Sequence, residues 1–222
     1  MKKIHALLFC CTLLFSSCFE IIEQVQLKDD GSGNLQLTLN LSKSKTRLNS
    51  IMKMETINGH PVPTKETITK TAAEIRSVIE KTPGISNVQL SLDFDNYIGV
   101  VSFNFLNVQQ LNKAIKAVKI KEKASGSALE DNFTYNATSK TFERKNATAL
   151  KNAYSTMSKA DKEIFSTAGY TAIYKFESAI IAASNKDAKL SPGKKAVMLS
   201  QPVLAIITEK KSIENKINIT NK

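Results

Sequence analysis

From Asn34 to Ser42 the chain alternates: Leu35, Leu37, Leu39 and Leu41 stand at every second position, with Gln36, Thr38, Asn40 and Ser42 between them. A period of two predicts a strand with one apolar face. Upstream, Glu20 to Lys28 predicts a partner strand with Ile21, Val25 and Leu27 on one face. Glu23 interrupts that face, so its end is expected to be exposed. Asp29-Asp30-Gly31-Ser32-Gly33 between the two is a hairpin signal, because glycine accepts the positive φ of tight turns. A second hairpin is predicted from Val88, Leu90, Leu92 and Phe94, through a turn at Asp95-Asn96, to Val101, Phe103 and Phe105.

Between these hairpins the period lengthens. Ile68, Ala72, Ile75 and Ile79 share one helical face, with Thr64 as N-cap and Pro83-Gly84 as the stop. A helix is also expected within Lys43–Met54, followed by a loop over Asn58–Pro63. Asn107 is expected to cap a helix carrying Val108, Leu111, Ile115 and Val118. A charged, small-residue-rich stretch then predicts a flexible joint near 119–132. Beyond it the pattern predicts a weak hairpin (Phe133–Tyr135 with Thr141–Glu143) and a short helix opening at Ser158. A long strand from Tyr170 to Ala183 follows, with Tyr170, Ala172, Tyr174 and Phe176 on one face. After a turn at Ser191-Pro192-Gly193 come a strand over Ala196–Ser200 and a last one through Ile213, Ile217 and Ile219. The sum is an α+β fold, a largely antiparallel sheet with helices packed on one face, in a single domain over 18–222. The helix-facing side of the sheet is expected to carry Leu35, Leu37, Leu90, Leu92, Val101 and Phe103. Ile68, Ile75, Ile79, Leu111 and Ile115 are expected to oppose them.

The N-terminus has a different order: Met1-Lys2-Lys3, an apolar run from Ile4 to Phe15, then Ser16-Ser17. Positive, apolar, small is the order of a secretory signal peptide. The run is well short of the ~20 residues that a spanning helix needs. Phe15-Ser16-Ser17-Cys18 resembles the bacterial lipobox, although Phe15 departs from the aliphatic residue usual there. The resemblance implies a lipoprotein signal peptide over 1–17, cleavage before Cys18, and lipidation of the Cys18 sulfur. All three cysteines lie in the first eighteen residues, so the mature chain has no disulfide. Two or more acyl chains hold a protein firmly to a membrane where one does not.

The chain has 31 Lys and Arg against 20 Asp and Glu; loss of Lys2 and Lys3 leaves a net charge of +9. Export argues against a nucleic-acid partner. The lysines are scattered, which reads as a solvated basic face or an attraction to anionic envelope surfaces. The absence of tryptophan weakens any case for an aromatic sugar platform.

Cys18, the Asp30-Gly31-Ser32-Gly33 turn and the alternation from Leu35 to Leu41 together resemble the LppM-like group of bacterial lipoproteins. A weaker echo lies at Ser191-Pro192-Gly193. The resemblance implies an α+β envelope domain whose sheet grips a helix around an apolar cavity, and it supplies no catalytic residues.

Catalytic chemistry finds little support. The mature chain has one histidine, His60, in a Gly-His-Pro-Val-Pro loop. A lone histidine with no cysteine beside it makes no zinc site of the usual kind. Asp29-Asp30 lacks the EF-hand pattern and reads as turn formation. Asp93 and Asp95 lie beside a turn without an opposing partner. S-x-x-K occurs at Ser42, Ser50 and Ser191, but the S-D-N and K-T-G partners are missing. No catalytic, cofactor or metal residue is assigned. The reading is a non-enzymatic protein of the bacterial envelope, anchored by acyl chains on Cys18 to the outer rather than the inner membrane. It acts as an interaction module for an envelope partner or, as the alternative, as a carrier of an apolar ligand between sheet and helices. An envelope enzyme ranks last. A large lined cavity would favour the carrier; a filled core with an exposed apolar patch would favour the module.

Overall fold

A computed structural model gives the fold and describes residues 19–123, 126–146 and 150–221. The predicted lipidation at Cys18 and the signal peptide over 1–17 lie outside the described residues. The first hairpin is as the alternation predicts: β1 (Glu20–Leu27) pairs antiparallel with β2 (Gly33–Asn40). Gly31 sits in the turn at φ 86°. At Gly33 the requirement is space, because a Cβ there would come within 2.1 Å of the Gln26 carbonyl oxygen and 2.7 Å of the Phe105 ring.

A 3-10 turn (Ser42–Ser44) and α1 (Lys45–Ile51) follow. The expected loop at Asn58–Pro63 contains half of a minimal hairpin, β3 (Thr56–Ile57) with β4 (His60–Pro61). α2 (Lys65–Glu80) starts where the Thr64 side chain accepts the Thr67 amide. β5 (Ile85–Asp93) and β6 (Ile98–Phe105) form the second hairpin, and α3 (Val108–Lys121) is capped by Asn107 accepting the Gln110 amide. β7 (Phe133–Asn136) and β8 (Thr141–Arg144) are the weak hairpin. Next come α4 (Leu150–Thr156), which the pattern did not predict, and α5 (Lys159–Glu163), capped by Ser158.

The predicted long strand is two strands. β9 (Gly169–Phe176) ends at Glu177-Ser178-Ala179, and β10 (Ile180–Ala183) joins a different sheet. The chain finishes with β11 (Lys189–Leu190), β12 (Ala196–Pro202), α6 (Val203–Ile207) and β13 (Asn215–Ile219).

The strands form two principal sheets. Seven strands run in the order β11-β12-β9-β1-β2-β6-β5, and four in the order β10-β13-β8-β7. All pairings are antiparallel except β1 with β9, so the α+β class holds with one parallel seam. Cross-strand register places Val25, Leu35, Phe103, Tyr174 and Val197 on one inner face. All five are buried. α2 and α3 cover the β5–β6 side of that face. The smaller sheet covers the β1–β9 side, where Phe142 meets Tyr174 and Phe176 at ring-centroid distances of 5.3 and 5.6 Å. Asn112 on α3 joins the two halves. Its amide donates to the Phe133 carbonyl and accepts the Asn132 and Phe133 amides.

Candidate functional site

The two halves of the covering layer leave the middle of the inner face open. Leu37 and Leu39 point inward, as their alternation requires, yet they are 38% and 42% exposed. The expectation that the sheet's aliphatic residues close against the helices is thus met only in part. Two apolar cavities lie end to end along β2 and β6. One, of about 290 Å³, is lined by Leu35, Leu37, Val101 and Phe103 from the sheet and by Ile75, Ile79 and Ile115 from the helices. The other, of about 280 Å³, lies between Leu39, Leu92 and Gly99 of the sheet, Ile68 of α2, and Leu48, Ile51 and Ile57 of the segment that roofs it. Each is near the lower end of the ~300–1,000 Å³ range of small-molecule pockets.

Lys119 also lines the 290 Å³ cavity. Its Nζ donates to Asn132 Oδ1 at 2.6 Å. Partial burial, and then the charge of Arg144, holds the Lys119 amine below its ordinary pKa, against the opposing pull of Asp131, Glu130 and Glu23. The site therefore offers an apolar trough, to which Lys119 contributes its alkyl stem while its amine is held by Asn132. That arrangement suits an elongated apolar group. It supplies no nucleophile with a base.

Glu23, expected at an exposed end of β1, is buried. Arg144 of β8 reaches it with two hydrogen bonds, Nε to Oε1 and Nη2 to Oε2, each 3.0 Å. The Tyr174 hydroxyl donates to Oε1 at 2.8 Å. Arg144 also stacks on Phe133, its guanidinium carbon 5.0 Å from the ring centroid. Burial, the largest single influence, would lower the Arg144 pKa, but the charge and hydrogen bonds of Glu23 together with Tyr170 and Tyr174 keep the group above its ordinary value. Burial first, and then the Glu23 charge, raises the Tyr174 and Tyr170 phenols. This cluster clamps the two sheets together. Sequence reasoning missed it because its partners lie 121 residues apart and Glu23 alone reads as a break in the pattern.

The remaining candidates take structural roles. His60 Nε2 lies 3.4 Å from Asp161 Oδ2, joining β4 to α5. Asp161 also accepts from Ser158 and Asn58; these bonds, Ser158 foremost, hold its carboxyl below the usual range. Asp93 accepts the Asp95 and Asn96 amides of its own turn. Asp30 accepts from Ser32, and Asp29 accepts the Ser178 hydroxyl. Among the S-x-x-K serines, Ser50 donates to the Thr46 carbonyl and Ser191 Oγ accepts the Ala196 amide. Among the described residues, no group of three or more His, Cys, Asp or Glu is placed to hold a metal ion. No helix among them is long and apolar enough to cross a membrane.

No family model matches the chain, and no curated protein matches it. Among solved structures, it is similar to the NMR structure of the Mycobacterium tuberculosis LppM folded domain. The TM-score is 0.44 and the sequence identity 8%, over 93% of this chain and 92% of that one.

Proposed function

We propose that the protein is a non-enzymatic, lipid-anchored protein of the bacterial cell envelope that holds an apolar ligand in the groove between its sheet and its helices. One observation carries the second half of this reading. The two cavities along β2 and β6 are walled almost wholly by apolar side chains, with Lys119 in the lining of one and Asp93 in that of the other. Ordinary interiors are packed to about 0.74 density, and an interaction module needs no such space. The open groove therefore favours the carrier over the docking module. The anchor rests on the sequence: Cys18 follows a signal-like segment, and β1 begins two residues later, which would hold the domain close to the bilayer.

The test is intact-protein mass spectrometry and organic extraction of the chain purified from its own membranes. A diacylglyceryl thioether at Cys18 and an extracted amphiphile in stoichiometric amount are expected. An unmodified thiol at Cys18 would overturn the anchor. A ligand-free protein that also fails to bind acyl-chain probes would overturn the carrier.

A further inference from the structure

A third cavity, of about 300 Å³, lies at the end of the sheet where β1 begins; Phe19 and Ile164 line it. So do Leu41, Leu48, Ile51 and Ile57, and these four also line the 280 Å³ cavity of the groove. The two spaces therefore share a wall. Its polar lining includes Arg47 and the Asp161 carboxylate with its partners Asn58 and His60. The shared residues belong to the segment 41–63, which contains α1, β3 and β4. None of the residues from 41 to 63 is buried. Bonds from this segment to the rest of the fold include Asn49 Oδ1 accepting the Tyr97 hydroxyl at 2.7 Å, and the contacts of Asn58 and His60 with Asp161 at 3.3 and 3.4 Å. A segment with few buried apolar contacts opens at low free-energy cost. Phe19 is held in place: its carbonyl accepts the Gly169 amide at 2.9 Å, and its ring meets Phe165 edge-on at 6.3 Å.

We infer that an acyl chain of a bilayer lipid enters the groove through this third cavity, under the 41–63 segment. The route presupposes the anchored carrier proposed above. Cys18 directly precedes Phe19, so acyl chains on its sulfur start one residue from the cavity wall and hold this end of the sheet against the membrane. Two large apolar side chains are exposed here, Ile164 in the cavity lining at 44% and Met54 on the segment at 50%. Each methylene of an acyl chain costs about 0.8 kcal/mol to expose to water. Transfer is therefore easiest where an apolar cavity opens directly onto the bilayer. The open middle of the groove is a poorer entrance. Leu37 there pairs with Glu23, roughly 10 Å along β1 from the anchored end, so a chain using that mouth first crosses water. The polar lining agrees with a bilayer boundary: Arg47 and His60 keep their polar ends among headgroups and water while the chain passes the shared aliphatic wall.

The test uses the mature lipidated chain in phosphatidylcholine vesicles and exploits the lack of tryptophan in the sequence. Ile164→Trp sets a single fluorophore at the cavity. Leu106→Trp sets one at an exposed position past the far end of β6, roughly 25 Å away along the strand. Bromine-labelled acyl chains are expected to quench the first strongly and the second little. In the same vesicles, stopped-flow uptake of an NBD-labelled long-chain fatty acid is expected to slow at least ~10-fold in Ile164→Asp, because a charge in the passage opposes an apolar chain. Equilibrium affinity and Tm are expected to stay unchanged, since Ile164 does not line the groove. Leu106→Asp is expected to keep the wild-type rate. Equal quenching at the two positions, or a wild-type uptake rate in Ile164→Asp, overturns the inference. Either result, seen beside saturable uptake by the wild type, leaves the carrier reading standing. No saturable uptake by the wild type overturns both.

Discussion

Glu23 and Arg144 make the sharpest stability prediction. Their side chains are 10% and 5% exposed. Arg144→Met removes both guanidinium bonds and leaves the Glu23 carboxylate in the interior with the Tyr174 hydroxyl. Breaking a buried pair from one side costs about 3–5 kcal/mol, because the remaining charge is uncompensated. At about 2–4 °C per kcal/mol for a chain of this size, Tm is expected to fall by roughly 6–20 °C. Glu23→Leu is expected to cost a similar amount, since it strands the arginine. Combining the two removes both charges, and replacing a buried pair by apolar residues is often neutral or stabilising by about 1–4 kcal/mol. The double variant should therefore recover most of the loss. Denaturant unfolding of the four proteins closes the cycle. Additive losses in the double variant, or an Arg144→Met loss below about 1 kcal/mol, would refute the clamp.

Leu111 is 0% exposed and Leu37 is 38% exposed. By denaturant unfolding Leu111→Ala should cost about 2–5 kcal/mol, whereas Leu37→Ala should cost only about 1.5 kcal/mol. Asn112→Ala orphans the Phe133 carbonyl and the Asn132 and Phe133 amides; at about 1–3 kcal/mol per unsatisfied buried group, calorimetry should show a loss of about 3 kcal/mol or more. Bonds from Lys211, and then from Gln201, hold the Asp187 carboxyl below its ordinary 3.8. A depressed acid stabilises the fold above its unfolded value and loses that effect as pH falls through the folded value. Asp187→Asn should therefore narrow the stability gap to wild type as an unfolding series is taken from neutral pH to below that window.

The elements were legible where periodicity and end signals agree. The Leu35–Leu41 alternation, the Gly31 turn, and the Thr64, Asn107 and Ser158 caps each act within a few residues, so the local sequence specifies them. What covers each face is not local. Leu37 reads as core from its spacing, but its exposure depends on where α2, α3 and the smaller sheet stop. The parallel seam joins strands about 150 positions apart, and neither carries a signal for the other. The break between β9 and β10 is hidden because Ile180–Ala183 is as apolar as the strand before it. The groove was legible as a set of aliphatic residues, but whether they leave space is a property of the assembled layers. Lys119 in its lining read only as one lysine among many.

The measurement that bears most directly on the groove is titration of the purified chain with an NBD-labelled long-chain fatty acid, in wild type and with the trough filled by Leu37→Trp and Val101→Phe. Saturable binding of one probe per chain is expected in wild type. Filling the trough should weaken it at least tenfold, equivalent to about 1.4 kcal/mol, without loss of Tm. Non-saturable uptake by wild type, or equal affinity in the filled variant, would contradict the account.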